Sequence, residues 1–120
     1  MTAANTWIND AAAKLDGWQQ DLYWEFHRHP ELSYEEHWTS ERIATELASL
    51  GLDVTEVGPT GPVTILENGD GPVVFGRADI DGLPLPEESG AQHPSENDGF
   101  MHACGHDTHI TSLIGAVRLL

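Results

Sequence analysis

The stretch Met101-His102-Ala103-Cys104-Gly105-His106-Asp107-Thr108-His109 holds the only cysteine, three of the seven histidines and a carboxylate. It stands directly before an apolar segment of helical period that runs to Leu120. Thiolate, imidazole and carboxylate are the side chains that bind borderline metals such as zinc. A loop rich in such groups that feeds a helix suggests a ligand site built at a helix entrance, not a plain structural turn.

Cys104 and His106 are two positions apart, and in a turn or extended segment such residues present their side chains to one side. Gly105 between them permits the tight backbone that lets both reach one ion. His102, Asp107 and His109 are then candidates for the outer groups that orient metal-bound imidazoles. A lone Cys-x-His also fits a buried structural cysteine beside a helix-capping loop, and it is the clustered neighbours that favour the metal. Asp107 or Thr108 can cap the helix that follows, with Ile110, Leu113, Ile114, Val117 and Leu120 on its buried side.

Upstream, residues 82–99 form a long loop rich in Pro, Glu, Ser and Gly. Asp79 and Asp81 precede it, at the end of an apolar strand, where open α/β sheets place ligand-binding groups. One of these carboxylates is expected near the metal and the other to orient an imidazole, although a turn-initiating Asp pair is also a common occurrence. Val63–Leu66 and Val73–Phe75 read as strands joined by a hairpin at Glu67-Asn68-Gly69-Asp70-Gly71. Leu52–Val57 reads as a further strand, ending at the turn-rich Gly58-Pro59-Thr60-Gly61-Pro62.

The first half of the chain is helical in pattern. Ile8, Ala11, Leu15, Trp18, Leu22 and Phe26 step by three or four along one face, and Pro30 ends that helix. Ser33 with Glu36 reads as a capping box for a second helix, whose inward stripe is Thr39, Ile43, Leu47 and Leu50 and which stops at Gly51. His27, His29, Pro30 and Glu31 are expected to close the first helix and bond to loop backbone. His37 and His93 are expected at the surface, and Glu87 and Glu88 are expected to be solvated.

Helices, then strands, then a helix indicate an α/β layered domain. The length of 120 residues suffices for one domain with a core. Twenty acidic residues against five basic ones give a net charge of -15, which repels nucleic acid and anionic membrane surfaces. With one cysteine there is no intramolecular disulfide. No secretory signal and no long apolar run are seen, so the expectation is a soluble, cytoplasmic protein with no membrane or nucleic-acid partner. The last helix keeps its apolar face to the final residue, which reads as a domain cut short. Val63, Ile65, Val73 and Phe75 are then expected near an unprotected sheet edge.

Three ordered segments resemble one known family. They are Phe26-His27-Arg28-His29-Pro30-Glu31-Leu32-Ser33 with Glu36; Gly71-Pro72-Val73-Val74 followed by Arg77-Ala78-Asp79-Ile80-Asp81-Gly82-Leu83-Pro84; and Met101-His102-Ala103-Cys104-Gly105-His106-Asp107. The family is the M20 metallopeptidases, in the amidohydrolase branch that holds N-acyl-amino-acid aminoacylases, hippurate hydrolases and auxin-conjugate hydrolases. The resemblance implies the N-terminal portion of a three-layer α/β/α zinc-peptidase-like catalytic domain with a mixed sheet, spanning residues 1–120. The inserted lid or dimerisation domain and the C-terminal part are absent from it. A site of two divalent ions (zinc, manganese or cobalt) is implied, with Cys104 and His106 as the first protein ligands and Asp79 and Asp81 in the catalytic site. Water activated by a glutamate base attacks the amide carbonyl of an N-acyl amino acid or similar small amide. That glutamate and the remaining ligands, one Glu and two His, have no counterpart in this sequence. The isolated chain is therefore expected to be inactive, and the complete protein to be a homodimer or homo-oligomer. An N-acetyldiaminopimelate deacetylase suits the same motifs, and a non-catalytic metal-binding remnant is the reading of a different class.

Overall fold

The computed structural model describes residues 3–120. Helix α1 spans Ala3–Ala13, α2 Asp16–Arg28, α3 His37–Ser49 and α4 His106–Leu119. Strands β1 (Val54–Val57) and β2 (Gly61–Thr64) lie between α3 and α4 and pair antiparallel. Their register sets Val54 opposite Thr64 and Val57 opposite Gly61. No helix among the described residues is long and apolar enough to cross a membrane.

The core is the meeting of three amphipathic stripes. Leu22 and Phe26 come from α2, Ile43 and Leu47 from α3, and Ile110 and Ile114 from α4. Trp18, Trp38, Leu52, Val54, Ile80 and Val117 close its margin. Each pair is spaced by four residues, which puts both members on one helical face. Removal of these side chains from water, at about 1.5–3 kcal/mol each, is what docks α4 on the two earlier helices. The stripe runs out at the end of α4, where Leu120 is exposed rather than buried.

Three local expectations are corrected. The first helical pattern is two helices, because the chain turns at Lys14 and Leu15, whose amides bond back to Ala11 and Ala12. Ile8 is left exposed on α1 as a result. Ser33 does not cap α3. The carboxylate of Glu31 does so from six positions before the helix, accepting from the Trp38 amide at 3.1 Å, the Thr39 amide at 2.7 Å and the Thr39 hydroxyl at 2.7 Å. Glu36 turns inward instead and accepts from the Thr60 hydroxyl at 2.6 Å.

The hairpin also forms one turn earlier than the Asn68-Gly69 signal indicates, at residues 58–60 between β1 and β2. Val73, Val74 and Phe75 pair with no strand among the described residues and are 95%, 89% and 82% exposed. A β-branched run has strand propensity only as far as a neighbour supplies its ladder. The sheet described is thus two antiparallel strands, within the helix-and-sheet layering expected of part of an α/β catalytic domain.

Candidate metal centre

Two separate pieces of chain make the centre. The first runs from Arg77 to Gly82 and passes beneath the Pro30 turn. Gly82 is needed there: its amide donates to Glu31 O at 2.7 Å, and a Cβ would stand 2.7 Å from Pro30 Cβ. The second piece is the 101–106 loop. Its base is an antiparallel bridge in which Leu83 and Met101 exchange backbone bonds of 2.8 and 3.0 Å. The loop enters α4 through Gly105, whose φ of 80° lies in the left-handed region. That turn lies between Cys104 and His106 in the chain, and its conformation is one that glycine favours.

The bridge brings His106 against the end of the first piece. His106 Nδ1 stands 2.9 Å from the backbone O of Asp81 and 2.9 Å from its Oδ1. An N–H at Nδ1 shared between these acceptors fixes the tautomer and turns Nε2 into the lone-pair nitrogen. Nε2 has no hydrogen-bond partner among the described residues. Cys104 is a free, exposed thiol one glycine away. A soft thiolate and an oriented imidazole suit a zinc-like ion, so the donor set fits the metal. Among the described residues no three His, Cys, Asp or Glu side chains converge to hold an ion.

The other expected residues are distributed around this pair. Asp79 is not joined to an imidazole; it pairs with the Arg77 guanidinium at a partly open position. His109 is exposed on α4, its ring 5.9 Å from that of His106. His102 is buried at 5% exposure, and neither ring nitrogen has a partner among the described residues. Burial pushes its pKa below the ordinary 6.5, against the opposing pull of Asp107. Asp107 is buried at the head of α4, where one oxygen accepts from the Thr108 amide.

The second oxygen of Asp107 reaches His27, a residue not expected in this neighbourhood. Nδ1 of His27 is 2.7 Å from Asp107 Oδ2, and its Nε2 is 3.1 Å from Glu87 Oε1. His27 is therefore not a helix-closing group, and Glu87 is not solvated; its side chain is 3% exposed. His29 does bond to backbone, at Glu25 O, and stacks on Trp38. His37 and Glu88 are exposed as expected, while His93 is half-buried against Trp24. The His27 contacts span 80 and 60 residues of sequence. The one local sign of them was a histidine four positions after Tyr23, on the inner side of α2.

Helices packed over a short sheet, with a thiol–imidazole loop at the entrance to the last helix, define part of an α/β metallopeptidase-type catalytic domain. Residues 76–120 match the family model of Peptidase family M20/M25/M40. A thermostable carboxypeptidase of Saccharolobus solfataricus is 44% identical over 116 residues, which is 94% of this chain and 30% of the relative. An IAA-amino acid hydrolase of Arabidopsis thaliana is 42% identical over 104 residues, 86% of this chain and 24% of the relative. The crystal structure of a dinuclear metal-binding peptidase of the M20 family from Bacillus subtilis superposes with a TM-score of 0.83 at 38% identity, over 90% of this chain and 31% of that one. The chain belongs to the M20 peptidase family. It spans less than a third of the length of these relatives.

Proposed function

We propose that this chain supplies the first part of the metal site of an amidohydrolase that cleaves the amide bond of N-acyl amino acids or similar small amides. The observation that carries this reading is the His106 imidazole, held at Nδ1 by Asp81 with Nε2 free, one glycine from the Cys104 thiol. The relatives' names, a carboxypeptidase and an IAA-amino acid hydrolase, both concern bonds to amino acids.

In this reading Cys104 and His106 hold a divalent ion, and the complete site holds two. Bound there, such an ion polarises the amide carbonyl and makes water a nucleophile near neutral pH. Asp81 keeps the His106 proton on Nδ1. In this reading Asp79 faces the substrate, since its pairing with Arg77 leaves it within reach of solvent. His102, Asp107 and His109 line the flank of the loop. The family resemblance further implies a general base and three more ligands, one Glu and two His, that have no counterpart among these 120 residues. Missing general-base catalysis alone costs about 10²–10⁴-fold in rate, so the 120-residue chain by itself is inactive. The free thiol and the acidic surface fit a reducing, cytoplasmic setting, and the complete enzyme is a homodimer or larger.

The test is hydrolysis of N-acetyl amino acids with zinc, manganese or cobalt present. The chain alone gives no turnover above buffer. A polypeptide extended by a segment carrying the absent Glu and His residues gives turnover, and Cys104→Ser or His106→Ala abolishes it. Turnover by the chain alone, or by the extended protein lacking both Cys104 and His106, contradicts the reading.

A further inference from the structure

His27 has no part in the metal-ligand reading, yet it is among the most enclosed titratable groups of the molecule. Its side chain is 8% exposed, and the carboxyl side chains on either side of it, Glu87 and Asp107, are 3% and 2% exposed. The two belong to different pieces of chain. Asp107 follows the ligand candidate His106 in the first turn of α4. Glu87 sits in the loop that leaves Leu83 and returns to Met101, closed at its base by the bridge between them.

Glu87 organises that loop from within. It accepts from the Ser95 amide at 2.6 Å and from the Ser89 hydroxyl. The loop's far side is tied to the end of α2 separately, through Glu96 N to Arg28 O and Asn97 Nδ2 to Pro30 O, both at 2.8 Å. Among the described residues, His27 is the one side chain hydrogen-bonded to both Glu87 and Asp107.

A neutral imidazole has one N–H and one lone pair. Between two carboxylates, such a ring sets its lone pair against a carboxylate oxygen on one side. An imidazolium donates to both, and charge-assisted bonds of this kind are the stronger ones. The other titratable groups facing His27 are Tyr23, with ring centroids 5.7 Å apart, and His102 of the metal loop. Burial pulls the His27 pKa down, but the hydrogen bonds and charges of Asp107 and Glu87 outweigh it, and the value is raised above 6.5. Glu87 is lowered in turn: its bonds from Ser89, Ser95 and His27 overcome the cost of its burial.

We propose that His27 is a positioning residue whose imidazolium, donating from both ring nitrogens, ties the Glu87 loop to the head of α4 and so sets the placement of the metal loop. The inference deepens the metal-site reading and rests on it only for what the tie positions.

The experiment uses the whole chain, labelled with ¹⁵N-histidine and free of metal. Long-range ¹H–¹⁵N correlation near pH 7, above the ordinary histidine value of about 6.5, is expected to show both nitrogens of His27 protonated. A single-N–H signature for His27 at that pH overturns the proposal. In His27→Gln, amides of residues 84–100 are expected to exchange about tenfold faster or more, as follows from losing a hydrogen bond to a buried charged group. Unchanged protection there also overturns it. If that variant does not fold, the unmodified protein's spectrum still decides, and Glu87→Gln gives a second reading: the His27 titration moves down toward the ordinary value, whereas an unmoved titration refutes the tie. Cobalt titration is independent of these results. Failure of Cys104 and His106 to bind cobalt removes the metal-site reading and leaves the His27 spectrum to stand or fall by itself.

Discussion

Replacing Asp81 with alanine tests whether the imidazole at position 106 is oriented for a metal. Removing the group that orients a metal-bound histidine lowers metal affinity by about 10–100-fold. The structure places the effect at the low end of that range. His106 Nδ1 is 2.9 Å from Asp81 Oδ1, but equally 2.9 Å from the Asp81 backbone carbonyl, which survives the substitution. The tautomer is therefore still held, and what is lost is one acceptor and its negative charge. The expected loss is about tenfold, or about 1.4 kcal/mol. The assay is competitive titration of cobalt or zinc against a chelator of known affinity, with circular dichroism to show that the helices persist. Asp79→Ala is the matched control, since Asp79 pairs with Arg77 and touches no imidazole. An Asp81→Ala affinity within about twofold of the unmodified chain refutes the orienting role. So does an equal loss in the control.

Glu31→Ala removes three bonds to the first turn of α3 and is expected to cost about 1–2 kcal/mol, by the scale of helix caps. Ser33→Ala, at an exposed turn, should stay within about 0.5 kcal/mol in the same denaturant titration. Stability should also depend on pH through His27 and Glu87. The raised His27 pKa contributes stability that is complete below the ordinary value of 6.5 and is lost as pH rises through the folded-state value. The lowered Glu87 pKa contributes stability present above its ordinary 4.5 and lost as pH falls through the folded-state value. His27→Gln should remove the alkaline loss from a pH series of unfolding midpoints. Finally, 20 acidic residues against five basic ones repel one another across the surface. Raising sodium chloride shortens the Debye length from about 10 Å at 0.1 M to about 3 Å at 1 M, so the unfolding midpoint should rise. A flat or falling midpoint refutes that.

What could be read from the sequence is what depends on near neighbours. The four-residue steps Leu22–Phe26, Ile43–Leu47 and Ile110–Ile114 identify the inner faces of three helices, and those faces form the core. The cap expected at Asp107 or Thr108 is not made, because α4 begins two residues earlier than that reading needs, with Gly105 at the N-cap position, no side-chain cap bond and Asp107 inside the first turn. Features set by distant partners were not legible. Glu31 caps a helix that begins six positions later, a span longer than any capping-box spacing, so Ser33 and Glu36 drew the eye instead. The break at Lys14–Leu15 carries no proline, and the nearest glycine, Gly17, lies inside α2. Val73–Phe75 has strand composition, but a strand is made by its neighbour. The candidate site divides in the same way. Cys104 and His106 stand out by their closeness in sequence, whereas His27 reads as a helix-closing residue and Glu87 as a solvated one until the fold buries both beside Asp107. Asp81 was legible as one of a pair of candidate carboxylates, but the strand expected to carry it does not form, and its bond to His106 crosses 25 residues.

In the proposed site Cys104 and His106 together take a divalent ion. Because the chain has one cysteine, cobalt titration followed in the near ultraviolet isolates that claim. A thiolate-to-cobalt charge-transfer band is expected that saturates at one ion per chain, vanishes in Cys104→Ser and weakens in His106→Ala. No such band in the unmodified chain, or an undiminished one in His106→Ala, would contradict it.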